Sequence, residues 1–274
     1  MGSLRPIEAP GLMLITPHEG SLLLVFQHDH ALLAGRLASA WRAEFIAHRD
    51  RRGEVLEAVA HHDAGWQEAD ARGVFDTSTG RPASFLSLPL KAYPPIWGSS
   101  IEQAARRGAL AGYLVARHSA ALAGMGRPSE IDPEGQATLQ SFKVETERTI
   151  ARFAEGISSP PISPPFPLAE TAVENDFRFL QLNDILSLAL CGGHGAPRLL
   201  TFLRASTLGG KPLEAEMPEP FSLRLAPWVF EPDRLEEKIA VRTIPDRAYP
   251  DQEALSDAIA QAGVAEQPIR IEPL

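Results

Sequence analysis

Apolar residues in the middle of the chain recur every three or four positions, which is the spacing that places side chains on one face of an α-helix. In the first such stretch, Leu33, Leu37 and Trp41 fall on the same side. Ser99 and Glu102 have the spacing of a capping box, so we expect a helix to begin at Ser99. The pattern predicts long helices over residues 31–47, 54–64, 99–123, 133–156 and 168–190.

Short apolar runs bounded by turn residues predict strands towards both ends of the chain. Residues 11–27 predict a hairpin, because two apolar runs are interrupted by a turn between Pro17 and Gly20. After Gly192 the apolar runs are again short, and residues 252–262 have the pattern of a short helix. Strands are predicted there over residues 199–205, 222–230, 237–244 and 268–271. We therefore predict an α+β fold that is mainly α, with a small β portion built from both ends of the chain.

Two segments between the predicted helices are expected to be irregular. Residues 65–98 are rich in Gly, Pro, Ser and Thr, which indicates a long ordered loop, and such loops are often functional. Residues 158–167 contain five prolines, which indicates a rigid linker. We expect one domain over residues 1–274, although the sequence leaves open whether the β portion folds independently.

The composition narrows the class of protein. The chain has 274 residues, of which 44% are hydrophobic, so it can bury a full core. Its net charge of −9 and the lack of a basic run argue against nucleic-acid binding. The single cysteine, Cys191, lies in an apolar helical run, so we expect a buried thiol and no internal disulfide. No apolar stretch reaches the roughly 20 residues of a membrane span or has the pattern of a secretory signal, so we expect a cytoplasmic protein.

Metal-capable residues recur on the apolar faces of four predicted helices. His30 begins the first apolar face, His62 and Asp63 end the second, His118 lies on the third and Asp184 on the last. Each residue alone also fits a structural role, since a lone histidine often completes a core and a His-Asp pair can end a helix. A buried Asp184 needs a partner, and its own helix offers no Lys or Arg one turn away. Together the groups form a nitrogen and oxygen ligand set suited to Fe, Mn, Zn or Ni.

The order of these residues resembles the HD superfamily of metal-dependent phosphohydrolases, whose signature is a histidine, a His-Asp doublet and a late aspartate on successive helices. The segments that carry the resemblance are His30-Ala-Leu-Leu-Ala-Gly-Arg-Leu-Ala, Leu56-Glu-Ala-Val-Ala-His-His-Asp, Val115-Ala-Arg-His-Ser and Leu182-Asn-Asp-Ile-Leu-Ser. The whole chain is also similar to a bacterial family of uncharacterised HD-like proteins, in its opening hairpin, its β tail, and the segments Asp63-Ala-Gly-Trp-Gln-Glu-Ala-Asp70 and Thr79-Gly-Arg-Pro82. The resemblance implies an HD-like helical core over residues 28–192, flanked by a β portion from residues 11–27 and 198–274.

The resemblance also implies a ligand set. His30, His62, Asp63 and Asp184 would hold a first metal ion. Asp63 would bridge to a second ion supported by His118, in the manner of binuclear members. Those members usually have two histidines between the doublet and the late aspartate, whereas this chain has one clear candidate, so one or two divalent transition-metal ions are expected.

Two residues beside the doublet distinguish this chain from the superfamily pattern. The side chain of His61 points about 100° around the helix from that of His62, so we place His61 outside the ligand set. Trp66 stands where hydrolase members often have His or Lys, so the pocket is expected to differ in shape.

The function that the resemblance implies is metal-dependent hydrolysis of a phosphate ester or a nucleotide-like small molecule by a metal-activated water. Asp63, His118 and Arg81 are the expected catalytic residues. Arg81 is preferred as the phosphate ligand because Thr79-Gly-Arg-Pro82 is a tight segment. The other cations considered are Arg36, Lys91 and Arg117, and the residues expected to line the substrate pocket are Trp66, Asp70, Arg81 and Trp97.

Two other functions fit the same pattern. A di-iron oxygenase is a minority activity of this scaffold and needs more histidines than the sequence offers. A non-catalytic HD-like module would bind a ligand or partner through the pocket or the β tail, and it would hold no metal. Fold alone does not decide between them. The expected partner is a small molecule rather than nucleic acid or a membrane, and a homo-oligomeric state is left open.

Overall fold

The computed structural model describes residues 14–83, 85–125, 132–161, 168–192, 200–201, 203–204, 206–208 and 211–274. The α-helices with described bounds are α1 (Gln27–Ala40), α2 (Arg52–His61), α3 (Gln67–Arg72), α4 (Tyr93–Ala105), α5 (Ala109–Gly124), α6 (Pro133–Ala154), α7 (Ala172–Cys191) and α8 (Gln252–Gln261). Short 3₁₀ turns occupy Ala43–Phe45, Arg49–Arg51, Ala64–Trp66, Phe85–Ser87 and Leu90–Ala92. None of these helices is both long and apolar enough to cross a membrane.

The strands are β1 (Leu14–His18), β2 (Ser21–Val25), β3 (Phe75–Asp76), β4 (Arg81–Pro82), β5 (Thr207–Leu208), β6 (Lys211–Pro212), β7 (Glu214–Glu216), β8 (Ser222–Ala226), β9 (Leu235–Pro245) and β10 (Val264–Pro273). Those from the two ends of the chain form one six-stranded sheet in the order β1-β2-β9-β10-β8-β7. Neighbouring strands in this sheet are antiparallel, except β8 and β10, which are parallel. Strands β3–β4 and β5–β6 form two further short pairs. The prediction of an α+β fold with a β portion from both ends is confirmed.

One apolar core joins the helices to the sheet. Leu37 of α1 and Leu180 of α7 belong to the same buried cluster as Leu223 of β8 and Ile271 of β10. Trp41 is fully buried in this cluster and contacts three phenylalanine rings edge-on. The helices therefore pack on the sheet through a continuous apolar interior. Cys191 is buried there as predicted, and burial raises the pKa of its thiol.

The predicted loop over residues 65–98 is wrong. The segment contains α3, the β3–β4 hairpin and the start of α4, which begins at Tyr93. Pro94 and Pro95 occupy the first turn of α4, where a missing N–H costs no helical hydrogen bond. Prolines are common both in the first turn of a helix and in loops, so the composition of this segment does not distinguish the two. Ser99 consequently lies inside α4 and does not begin a helix.

The predicted helix over residues 99–123 is interrupted, because α4 ends at Ala105 and α5 begins at Ala109. Glu54 of α2 accepts the backbone N–H of Leu110 at 2.9 Å, which satisfies an amide at the start of α5. A Cβ on Gly108 would lie 2.0 Å from Oε2 of Glu54, so the chain can approach this carboxyl only without a side chain at that position. The break depends on a residue of another helix, and the local pattern could not reveal it.

Other predicted boundaries also differ from those in the structure. Helix α1 ends at Ala40 rather than at residue 47, and Trp41 continues in an extended conformation. The described residues within 199–205 are helical, so the strand predicted there is wrong. The remaining predicted helices and strands are present with ends shifted by a few residues. Part of the predicted proline linker, residues 162–167, lies outside the described residues.

Helices α1 and α2 approach so closely that only glycine fits at their contact. A Cβ on Gly35 would lie 2.4 Å from Cβ of Ala60 and 2.8 Å from its Cα. We expect Gly35→Ala to lower the free energy of unfolding by about 1–3 kcal/mol, as overpacking does in other cores. In α2 a Cβ on Gly53 would meet nothing within 4 Å, so Gly53→Ala should be neutral or stabilise by up to about 1 kcal/mol. Urea denaturation of both variants measures the difference, and equal effects would show that the contact is not tight.

Candidate metal centre and adjoining cavity

The predicted metal-capable residues come from four helices that pack on one another, α1, α2, α5 and α7. His30 lies in the first half of α1, His62 and Asp63 directly follow α2, and His118 and Asp184 lie within α5 and α7. All five are buried, with at most 8% of any residue exposed. The apolar faces of the four helices bring these side chains together.

The five side chains form a continuous group. Nε2 of His30 lies 3.2 Å from Oδ2 of Asp63. The carboxyl group of Asp184 lies between two imidazoles, with Oδ1 3.3 Å from Nε2 of His62 and Oδ2 3.5 Å from Nε2 of His118. The ring of His62 is central, and its centroid is 5.3 Å from the rings of both His30 and His118. Three histidines therefore direct Nε2 towards two carboxyl groups.

Hydrogen bonds at the opposite ring nitrogens orient two of these imidazoles. Nδ1–H of His62 donates to the carbonyl oxygen of Val59 at 2.7 Å, and a carbonyl can only accept. The hydroxyl of Ser187 donates to the backbone oxygen of Asp184, so it accepts from Nδ1–H of His30 at 3.0 Å. In its neutral form, each ring then carries on Nε2 a lone pair that can bind a metal ion. Such outer contacts are how proteins fix the tautomer of histidine ligands.

The imidazoles and carboxyl groups of this buried group partly compensate each other's charge. Burial lowers the pKa of His62, but the charges of Asp63 and Asp184 outweigh this effect and raise the pKa to about 9. Burial disfavours the charged form of Asp184, yet the imidazoles of His62 and His118 hold its pKa well below the ordinary value. Burial lowers the pKa of His118, so this imidazole is neutral at pH 7. The positive charge on His62 offsets part of the negative charge of the carboxyl groups, and a bound cation could take over this compensation.

The donors are suitable for a metal ion. Ligand atoms of His30, His62 and Asp184 all lie within 4.8 Å of one another, close enough to converge on one ion. Nε2 of His62 lies 3.3 Å from Oδ1 of Asp184 without a well-formed hydrogen bond, so it could become a ligand once the ring loses its Nε2 proton. The group could therefore hold a metal ion, with Asp63 and His118 at its border.

A cavity of about 210 Å³ adjoins this group, and Asp63, His118 and Asp184 form part of its wall. Its remaining lining is mostly apolar and aromatic, and comprises Trp66, Phe85, Leu90, Tyr93, Trp97, Leu122, Met125, Leu139 and Leu188, together with the amide of Gln27. Trp66 and Trp97, both predicted for the pocket, are thus in its wall.

Two other residues predicted for the pocket, Asp70 and Arg81, do not line the cavity and need correction. The carboxyl group of Asp70 accepts the backbone N–H groups of Gln27 and His28 at 3.1 and 3.0 Å, and so caps the N-terminus of α1. Burial raises the pKa of Asp70 to about 7. Arg81 lies on the β3–β4 hairpin, where its partly exposed guanidinium pairs with Asp246 at the end of β9.

The other candidate cations also lie outside the cavity lining. Arg36 pairs with Glu237, and Arg117 pairs with Glu174 at 2.6 Å while it covers the ring of Phe177. Among the described residues that line the cavity there is no Lys or Arg. Among the described residues, positive charge near this cavity therefore comes from His62, which contacts Asp184, and from any bound cation.

Sequence reasoning missed several residues of the site. Ser187 lies three residues after Asp184 and Gln27 three before His30, so helical spacing could have placed both on the site face. Phe85 and Tyr93 lie in the same predicted loop as Trp66 and Trp97, but no local pattern distinguishes them as pocket residues. His61 pairs with Glu57 at 3.2 Å and retains 18% exposure of its side chain, apart from the buried group.

Comparisons with known proteins give a family and no described activity. No curated protein and no solved structure matches the chain. A family model with the description "Protein of unknown function (DUF3891)" matches residues 13–246, which is most of the sequence.

Proposed function

The chain belongs to the DUF3891 family of unknown function, and from its own site we propose that it is a metal-dependent hydrolase with an HD-like helical core. One observation carries the proposal. Three buried imidazoles and two carboxyl groups from four helices meet at the wall of a cavity, and Nε2 of the central His62 has no well-formed hydrogen bond. A protein that did not bind a ligand there would have little reason to bury so many ionisable groups together.

The arrangement of the groups supports the HD-like part of the proposal. The histidine on α1, the doublet after α2 and the aspartate on α7 occur in the order that the HD superfamily uses. Their helices also pack on one another. We therefore assign His30, His62, Asp63 and Asp184 as ligands of a first ion, with His118 available to a second.

A bound metal ion and the side chains of the protein would each contribute to hydrolysis. When bound, a divalent metal ion supplies a Lewis acid that polarises a phosphoryl oxygen and lowers the pKa of water. Asp63 lines the cavity, so its carboxyl group can orient an attacking water by accepting a hydrogen bond. His118 also lines the cavity, and where only one ion is bound its imidazole, whose pKa is lowered by burial, is free to take up the proton of that water.

The substrate class proposed is a phosphate ester. Arg81 is engaged with Asp246, so it is not part of this proposal. Neutralisation of the phosphate charge then falls to the bound ions, since no Lys or Arg occurs among the described lining residues. A monoester suits this arrangement, because the charged group contacts the ions and the organic group can occupy the apolar cavity.

Reconstitution of the protein with metal ions tests the proposed hydrolase function. Protein stripped with a chelator and reloaded separately with Mn²⁺, Fe²⁺, Zn²⁺ or Ni²⁺ is assayed against a panel of phosphate monoesters and diesters. We expect turnover with at least one ion and none in the stripped protein. Loaded protein that is inert against the whole panel would overturn the proposal. Oxygen consumption by the iron form would instead indicate an oxygenase, and failure to retain any ion would indicate a non-catalytic module.

A further inference from the structure

We propose that the cavity is a specificity pocket for a small, uncharged apolar group, such as one aromatic ring. The substrate would then be the ester of a simple aromatic or branched alkyl alcohol rather than a nucleotide. The inference deepens the proposed function and rests on it for the reacting end of the substrate. The shape and polarity of the cavity carry it.

Four aromatic side chains form the wall that would receive the group. Tyr93 and Trp97 stack with centroids 5.1 Å apart, and Trp66 meets Phe85 and Tyr93 edge-on at 5.6 and 6.1 Å. The hydroxyl of Tyr93 donates to the carbonyl of Phe85 at 2.7 Å, which ties the two parts of the wall together. The rings are therefore held in place by each other and form a preorganised apolar surface.

The size of the cavity limits the group. Its volume is about 210 Å³. A dry cavity of about 150 Å³ in an engineered protein is enough for benzene, whereas pockets for larger ligands usually begin at about 300 Å³. One substituted ring fits, but a nucleoside with its base and ribose does not. The absence of Lys and Arg among the described lining residues also disfavours further phosphates.

Binding to the metal-free protein tests the pocket without turnover. The probes are acetophenone and toluene, which each have one ring, and adenosine, which is too large. We expect both aromatic probes to bind and adenosine not to bind, when binding is followed by NMR chemical shifts. Absence of acetophenone binding, or adenosine binding that displaces it, would overturn the inference.

Two pairs of measurements locate the binding. Leu139→Trp fills the cavity from α6 and should weaken acetophenone binding at least tenfold, whereas Val144→Trp at an exposed site of the same helix should leave it unchanged. Phe85→Ala removes one ring of the wall, so it should weaken both acetophenone and toluene several-fold. Thermal unfolding checks that each variant is folded, and Phe85→Ala carries the test if Leu139→Trp does not fold. Equal affinities across all the variants would contradict the assignment.

The metal-loaded protein separates this inference from the proposed function. Phenyl phosphate should have a kcat/KM at least about 100-fold above that of adenosine 5′-monophosphate. If acetophenone binds but neither ester is hydrolysed, the pocket stands and the hydrolase proposal fails. If both esters are hydrolysed equally well and Leu139→Trp has no effect, the hydrolase stands and the pocket fails.

Discussion

Replacing His62 with alanine is expected to weaken the binding of a divalent transition metal by more than about 100-fold and to abolish turnover of phosphate esters. His62 is the centre of the buried group, and its ring lies 5.3 Å from those of both His30 and His118. Loss of an outer-shell contact alone typically costs 10–100-fold in metal affinity or activity, so loss of a central ligand should cost more. Asp63→Ala should have a similar effect, because Asp63 contacts His30 and borders the cavity.

The neighbouring histidine is the matched control. His61→Ala removes an imidazole one position away that pairs with Glu57 and keeps part of its surface in solvent. This variant should retain both metal and turnover. Elemental analysis of protein purified without an affinity metal gives the first readout, and we expect about one to two equivalents in the wild type. Wild-type protein without metal, or loss of metal that is equal in the two variants, would contradict the assigned site.

Replacing Asp176 with alanine should lower the free energy of unfolding by about 3–5 kcal/mol, the cost typical of breaking a buried ion pair by removing one partner. Asp176 is fully buried on α7 and accepts Nδ1–H of His48 at 2.6 Å. It also accepts the backbone N–H groups of Ala47 and His48 at 2.7 and 3.1 Å. This carboxyl group therefore holds the segment between α1 and α2 to α7, together with Asn175, whose amide donates to the carbonyl oxygen of Phe45 at 2.9 Å.

The stabilisation should depend on pH through His48. The hydrogen bond to Asp176 raises the pKa of His48 above its ordinary value of 6.5, and the carbonyl of Ser158 accepts from Nε2–H at 2.7 Å. Both ring nitrogens donate, which requires the protonated imidazole. Because the folded pKa is the higher one, the contribution is complete below about pH 6.5 and is lost as pH rises through the raised pKa.

Chemical denaturation at several pH values measures this effect. The difference in the free energy of unfolding between wild type and Asp176→Ala should be largest below pH 6.5. It should become smaller at higher pH, and the part that comes from the backbone hydrogen bonds should remain. Asp50→Ala, at an exposed site two residues after His48, is the control and should change stability little. A difference that is constant with pH would show that His48 is not charged in the folded protein.

The apolar periodicity of the chain is enough to indicate which groups could share a site. His30, His62, His118 and Asp184 lie on or next to apolar helical faces, and such faces must meet to form a core. Any packing that buries those faces brings the polar residues on them together. The α+β class followed from the same patterns, since the period of the apolar residues differs between the ends and the middle of the chain.

The cavity and the contacts that shape it depend on packing between distant segments. The sequence favours Trp66 and Trp97 for the pocket, whereas Phe85 and Tyr93 join its wall through the packing of α4 and the turn before it. Asp70 caps α1 and Arg81 pairs with Asp246, although local sequence favoured both for the pocket. These outcomes depend on partners about 40 to 165 residues away, and periodicity carries information only about neighbours within a few turns. The side chains that face each other across the fold are set by packing, which the local pattern does not contain.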